Sequence, residues 1–581
     1  MGNFLAWKRN QPLPNSVLEV FRKRGFQHVH EAVIGDYHLA FAEKQLLRYP
    51  CFHQEAAFSL LVMGSVIIPK TLPMHNLDLF VSHYKMHGGI DTSDVSGNFL
   101  IVIFENNQVR FFTDAANGYS LYFHSSGIWS DSQLALVHAL HASGEPTTWD
   151  ARQVSTNLCL GFLYGENTIY KNVLRFDSTL HNAANDWKFM RPSRNIMASV
   201  TPPVNTIEAV DLQRETLMKW FQDMSPALSQ NGLLCGITGG LDSRLLAVCS
   251  KTLSSEVKIQ AFTNTQSTNN EQVQIAREVS KALDIDFKEV LLQGNCSDIQ
   301  SNLYYNDGIL RIYQIWLEES KSRAYSEMLF TKGAILLTGV GGEQYRNSTF
   351  TSSVSVDFKS WFKIEYVRKI SGNSFKLKVS ETNMLNELDA YVRLKLDRSQ
   401  GDAWSRADIE GFLHRIFNPA VRLVRNNIEN QLGITLSPFT EAAPVVAAEL
   451  AEPFSRQHLS FEVDLIRAFS NACNDIRLDY GFKLSEQIPL KYRGRMLFQR
   501  WMPGRIRGIF YSLPLLRKRK EPVELMKLPN ASDAIRAVRS MRLDVDVDVL
   551  LQNPLLSPLV FEMGFLILAL DGVVLRDDST H

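Results

Sequence analysis

NGLLCGITGGLDSRLLAVCSK, Asn231 to Lys251, reads as a strand, a glycine turn and a helix in immediate succession. Leu233, Leu234, Cys235 and Ile237 make an apolar run of the kind that forms a short buried strand. Thr238, Gly239, Gly240, Leu241 and Asp242 follow, and from Ser243 the apolar positions Leu245, Leu246 and Val248 take helical spacing. Backbone amides of a glycine turn at a helix start can cradle phosphate oxygens. A Walker-type loop would add a lysine for the terminal phosphates, and this turn has an aspartate and no lysine. That pattern suits cleavage at the α-phosphorus: the turn grips the β- and γ-phosphates as a leaving group and Asp242 holds Mg2+ on them. Thr238 and Ser243 can donate hydroxyls to the phosphates, and ATP and Mg2+ are the expected cofactors.

The surroundings fit a nucleotide fold. RETLMKWFQDM reads as a helix, VKIQAFT (Val257 to Thr263) as a strand, NEQVQIAREVSKAL as an amphipathic helix and FKEVLL (Phe287 to Leu292) as a third strand. Strands alternating with helices predict a parallel sheet with right-handed crossovers. Ligands of such sheets lie at the carboxyl ends of the strands, where the quoted turn sits. AILLTGVGGEQYRN repeats the arrangement: a strand from Ala334 to Leu337, then Gly339, Gly341, Gly342 and Glu343. Magnesium needs one or two carboxylates besides substrate phosphates, so Asp242 and Glu343 are the candidate metal ligands. Phe262 and Thr263, near a strand end, are candidates for an adenine wall.

Before this region the chain is strand-rich. GNFLIVIFENNQVRFFTD predicts a hairpin about Asn106-Asn107, and SLYFHSSGIWSDS a second about Ser125-Ser126-Gly127. The proline-bearing loop SRNIMASVTPPVNT places a domain boundary near residue 205, giving domains 1–205 and 206–581. From about residue 400 the pattern is helical, as in RADIEGFLHRIFNPAVRLVRNNIENQ. DVDVDVLL, Asp544 to Leu551, alternates and predicts an edge strand with a wet face.

At 581 residues, with 61 basic and 61 acidic side chains, the chain exceeds one compact core and global charge does not suggest a nucleic-acid binder. Six scattered cysteines without a CxxC pair support neither a disulfide framework nor zinc, and suit the cytoplasm. His28 and His30 read as alternate positions on a strand. No signal-peptide layout opens the sequence, Ala6 replaces the Ser or Thr of a myristoylation pattern, and the apolar runs fall short of the ~20 residues of a membrane span. A soluble, membrane-free protein is expected.

TGGLDS resembles the SGGLDS pyrophosphate loop of asparagine synthetases, beta-lactam synthetases and lasso-peptide cyclases. LTGVGGEQYRN resembles their SGxGxDExFGGY motif, and LSPF at Leu436 to Phe439 their PFLD element. VSGNFLIVIFE and FFTDAANGYSLYFH are similar to their GxFAxxxxD and RDxxGxxPLYY segments, so the resemblance runs along most of the chain in the family's order. It implies an α/β protein: an N-terminal β-rich glutaminase-like domain of the Ntn type, then an ATP-pyrophosphatase domain with a parallel sheet and a helical C-terminal part.

The departures from that family carry information. Glutamine-hydrolysing members place a cysteine directly after the initiator Met, and here Gly2 stands there, with no cysteine before Cys51. The first domain is then a retained scaffold, and nitrogen must come from ammonia, a separate glutaminase or an amine. Glu343 and Gln344 replace the family's Asp and Glu, and Gln344 cannot act as a base; PFTE replaces PFLD. The family's late lysine, which stabilises the adenylation and amidation transition states, maps onto Lys518 or Lys520. Both lie in a segment from Lys491 to Lys520 with ten basic residues and no acidic one; a solvated basic face, or a patch for anionic lipid or nucleic acid, reads the same segment differently. The resemblance implies an ATP-dependent ligase that activates a small-molecule or peptide carboxylate as the acyl-adenylate for attack by ammonia or an amine, with a homodimer among the expected states. A tRNA-modifying ATP pyrophosphatase and a nucleotide-binding pseudoenzyme or scaffold are the other readings.

Overall fold

The computed structural model describes residues 3–575 apart from 9–12, 48, 93, 115–117, 146, 178–186, 191–204, 254–256, 266–269, 293–297, 313–314, 331–332, 347–356, 368–380, 452–458, 491, 495–524 and 554. Gly2, Lys518, Lys520 and most of the boundary loop and basic segment lie outside the described residues.

The first nine strands are β1 (Phe4–Lys8), β2 (Val29–Ile34), β3 (Tyr37–Ala42), β4 (Phe52–Gln54), β5 (Phe58–Gly64), β6 (Phe99–Glu105), β7 (Gln108–Thr113), β8 (Tyr122–His124) and β9 (Ile128–Ser130). β10 (Thr147–Thr148), β11 (Leu174–Arg175) and β12 (Trp187–Met190) follow. They build a six-stranded sheet in the order β11-β8-β9-β1-β3-β2 and a five-stranded one in the order β12-β7-β6-β5-β4. Pairing is antiparallel except between β12 and β7. The period of two decides the layers. Phe4 and Ala6 of β1 face the five-stranded sheet, where Phe111 meets Trp129 at 5.5 Å. Leu5 and Trp7 face α1 (Asn15–Lys23) on the outside. α2 (Asn76–His87) covers the five-stranded sheet with Leu77, Phe80 and Val81; α3 (Gln133–Ala142) and α4 (Ala151–Leu160) join α1 in the outer core. Both predicted hairpins form. Asn106 and Asn107 take φ of 52° and 58°, the left-handed pair that a two-residue turn with the right twist requires.

α5 (Thr206–Asn231), capped by Asn205 accepting from the Glu208 amide at 3.0 Å, leads into the second sheet. Its strands are β13 (Leu233–Gly236), β14 (Ile259–Thr265), β15 (Asp286–Leu291), β16 (Ile335–Leu337) and β17 (Ile434–Leu436), all parallel, in the order β15-β14-β13-β16-β17. Leu233 and Cys235 point to the face covered by α5, α6 (Leu241–Leu253) and α7 (Glu271–Ala282). Leu234, Phe262 and Leu336 point to the other, packed on Tyr325, Leu329 and Ile428. Burial on both faces explains the unbroken apolar runs. The chain fills the β14 and β15 side first and then crosses to β16, so the order reverses between β13 and β16. Crevices at such reversals receive ligands in open α/β sheets.

The region after residue 400 is mostly helical, as expected, and within it Ile434–Leu436, set between helical stretches, supplies the sheet edge β17. One expectation is corrected. Asp544 to Leu551 is no edge strand: Val547–Leu551 is helical, and Asp546 caps it by accepting from the amides of Asp548 and Val549 at 3.0 and 3.3 Å. A capping carboxylate satisfies amides that an edge strand would leave to solvent. The chain then returns to the first region, where β18 (Val574–Leu575) pairs parallel with β10. Among the described residues no helix is long and apolar enough to cross a membrane.

The N-terminal sheets brace the second one from behind. Lys44, 2% exposed, donates to the carbonyls of Asn430, at 2.6 Å, and Gly433, just before β17; burial pulls its ammonium down to about 7. The Ser65 hydroxyl bonds Asn430 and accepts from the Thr435 amide at 3.1 Å.

Candidate functional site

The turn after β13 is held by its own hydroxyls. Ser243 Oγ accepts from the Thr238 amide at 3.0 Å and lies 2.9 Å from Thr238 Oγ1, which accepts from the Gly240 amide at 3.2 Å. Both hydroxyls thus face each other across the turn. Gly239 is required for close approach: a Cβ there would lie 2.9 Å from Asp479 Cβ, and its carbonyl accepts from the Asp479 amide at 3.0 Å. Arg244, 0% exposed, is spent on main-chain carbonyls of the same loop, Ile476 at 2.9 Å and Arg477 at 2.8 Å.

The turn after β16 meets the first one at Asp242. A Cβ on Gly342 would fall 2.3 Å from Asp242 Oδ1, and one on Gly339 would lie 3.4 Å from Asp242 Cβ. Gly341 takes φ 93°, against Phe439 and Thr440 of the PFTE segment. Glu343 follows directly. The structure therefore brings Thr238–Ser243, Gly339, Gly341, Gly342 and Glu343 to one mouth between β13 and β16. Phe262 and Thr263 stand apart from it in exposure: Thr263 is buried, and the Phe262 ring packs against Gly236 and the core. An adenine wall there would require the ring to leave that core.

Each acidic candidate carries an arginine. Arg346 binds Asp242 Oδ2, donates to the Tyr480 hydroxyl at 2.6 Å and sets Nε 3.2 Å from Glu462 Oε2. Arg422 binds Glu343. Burial works against the Arg346 charge, but Glu462 and Asp242 outweigh it and hold the guanidinium firmly protonated. Glu462 is fully buried, and burial together with the neighbouring Asp242 pushes its carboxyl well above the usual range despite Arg346. One oxygen of each candidate, Asp242 Oδ1 and Glu343 Oε2, is buried without a hydrogen-bond partner. Two orphaned carboxylate oxygens on adjoining turns are hard donors suited to Mg2+, with substrate phosphates and water completing the shell. Among the described residues no group of three or more His, Cys, Asp or Glu could hold a metal.

Arg346, Arg422, Glu462 and Tyr480 escaped sequence reasoning. Arg346 stands inside the second motif, three residues past Glu343, and was the one legible signal. Gln344 is structural: its amide donates to the Phe439 carbonyl at 2.7 Å, in a position 2% exposed. Cys51 is 1% exposed and burial pushes its thiol up to about 12, which leaves no thiolate nucleophile there at neutral pH.

No protein-family model matches the chain, and no curated protein matches it. Solved structures show only distant similarity. The ammonia-dependent NAD synthetase from Campylobacter jejuni subsp. jejuni NCTC 11168, in complex with nitrate, is 14% identical, covering 37% of this chain and 93% of its own at a TM-score of 0.17. The allosteric regulatory enzyme of purine biosynthesis is 8% identical over 52% of this chain and 82% of its own, at 0.21. Glutamine phosphoribosylpyrophosphate amidotransferase from B. subtilis, complexed with ADP and GMP, is 10% identical over 59% and 77%, at 0.18.

Proposed function

We propose that this chain is an ATP-dependent amide-forming ligase of the asparagine-synthetase-like type that does not hydrolyse glutamine. The observation that carries the reading is the contact of Gly342 with Asp242, which joins two glycine turns at the reversal of the strand order. The turn Thr238–Ser243 would hold pyrophosphate, and Asp242 and Glu343 would hold Mg2+, which when bound screens the phosphate charge. A substrate carboxylate oxygen bonds to the α-phosphorus as the bond to the pyrophosphate oxygen breaks. Ammonia or an amine then attacks the acyl carbon, AMP leaves, and the nitrogen loses a proton. Lys518 or Lys520 would supply the late cation. The burial of Cys51 supports a first domain that is scaffold only.

A second reading, a nucleotide-binding pseudoenzyme, draws on the arginines that cover both acids and on Gln344, which is committed to a carbonyl. ATP–pyrophosphate exchange, screened over carboxylic acids with Asp242→Asn as control, separates the two. Exchange that needs one acid and Asp242 supports the ligase; ATP binding without exchange under any acid supports the pseudoenzyme. Glutamate released from added glutamine would overturn the scaffold assignment of the first domain.

A further inference from the structure

Arg175 closes the short strand β11, directly opposite Tyr122 of β8. Its side chain and that of Arg311 line one small cavity, where the N-terminal sheets meet the chain just after the helix Ile299–Tyr305. Tyr122, Gln133, Asn157 and Thr168 add polar groups to the wall, and no acidic residue lines it among the described residues. Among those residues no carboxylate oxygen comes within 4.0 Å of either guanidinium. The nearby acids are committed elsewhere. Asp307 holds Arg24, Ser132 and Gln133, and Asp177 holds Lys395 and Tyr391. Glu166 meets Arg175 through its carbonyl, which accepts from the Arg175 amide at 2.6 Å. Burial pushes the Tyr122 hydroxyl up, so it stays a neutral phenol and brings no charge.

The two guanidinium groups also keep unspent donors. Arg311, 7% exposed, gives Nε to the Ala420 carbonyl at 2.9 Å and Nη1 to the Leu310 carbonyl at 2.7 Å. Arg175 gives Nη2 to the Gly165 carbonyl at 3.2 Å. Arg311 Nη2 and Arg175 Nε and Nη1 have no partner among the described residues. Burial, and then the neighbouring charge of Arg175, pull Arg311 down to about 10, so it remains charged at neutral pH. A buried charge without a counter-charge is strongly destabilising, and an unsatisfied buried donor calls for a water or an ion. We infer that this cavity is a site for one small monovalent inorganic anion of halide size, a fixed counter-ion to Arg175 and Arg311 that ties the N-terminal sheets to the segment Gly308–Arg311. Size sets the class of ligand. The space open to the centre of a water-sized particle is about 20 Å3. One water needs ~10–15 Å3 on that measure, so a single small ion fits and a nucleotide does not. Charge-assisted hydrogen bonds from the unspent donors would hold it.

Urea unfolding of the full chain tests this, with sodium chloride replacing sodium gluconate at constant ionic strength. The midpoint is expected to rise with chloride and to level off as the site fills, as for any ligand that binds the folded chain alone. Bromide should act in the same way, and crystals grown in bromide should show its anomalous scattering between Arg175 and Arg311. Arg175→Met, which gives up the Gly165 carbonyl and no ion pair, should abolish the chloride dependence. A midpoint indifferent to chloride overturns the inference, and so does a dependence that Arg175→Met leaves unchanged. Water in place of bromide between the two arginines overturns it as well. The crystals and the first titration need no variant, so an Arg175→Met chain that fails to fold does not shield the inference.

Discussion

Gly342 and Asp242 touch so closely that a methyl group on the glycine would lie 2.3 Å from the aspartate Oδ1 and 2.7 Å from its Cβ. Asp242 cannot swing aside without releasing Arg346. Gly342→Ala is therefore expected to cost roughly 1–3 kcal/mol of stability, the range for overpacking, and to abolish nucleotide binding, read by thermal denaturation and calorimetry. Gly494→Ala, where no atom of the described residues lies within 4 Å of the added carbon, is the control and should leave both unchanged or slightly raise stability.

Gln344→Glu would place a carboxylate at a buried position in the second glycine turn. Here it would aim an acceptor at the Phe439 carbonyl, 2.7 Å from the present donor. The expected result is a loss of roughly 1–3 kcal/mol near neutral pH, the penalty for an unsatisfied buried polar group, with no gain in exchange activity. The loss should shrink in acid, since a protonated carboxyl donates; urea denaturation at two pH values measures it.

Asp131 accepts from the Phe4 amide at 2.9 Å and the Tyr119 hydroxyl at 2.5 Å, yet burial pushes its carboxyl up to about 6. Its folded value exceeds its unfolded one, so between about 4 and 6 the folded chain binds the extra proton. Its contribution is complete below about 3.9 and is lost as pH rises through about 6, on the order of 3 kcal/mol in all. Asp131→Asn should flatten the fall in stability across that window; an unchanged slope would refute the assignment.

Arg24 and Asp307 form a fully buried pair, and Asp307 also accepts from Ser132 Oγ at 2.6 Å and the Gln133 amide at 2.8 Å. Arg24→Met leaves that carboxylate unpaired and is expected to destabilise by about 3–5 kcal/mol. Adding Asp307→Asn should recover part of the loss, which a double-mutant cycle in urea reads directly.

Legibility tracked the range of the interactions. The Asn106-Asn107 hairpin and the α7 helix were readable because turn geometry and periodicity act within a few residues. Asp544 to Leu551 misled for a local reason as well: alternation counts side chains and ignores the two amides that Asp546 captures, which close a helical turn. β17 was hidden by the helical pattern on either side of it, although it completes the sheet and leads into the segment that packs on Gly341.

By itself the sequence determined that a strand, a glycine turn and a helix succeed one another from Leu233 to Leu253, and that a second such turn ends at Glu343; apolar runs and glycines specify these through short-range sterics and burial. Only the tertiary structure decided that the two turns meet at Asp242, and that Arg346, 104 residues away along the chain, covers its carboxylate. Ion pairing selects whichever charges the packed sheet brings within a few ångströms, and nothing in the spacing of residues along a chain encodes that distance.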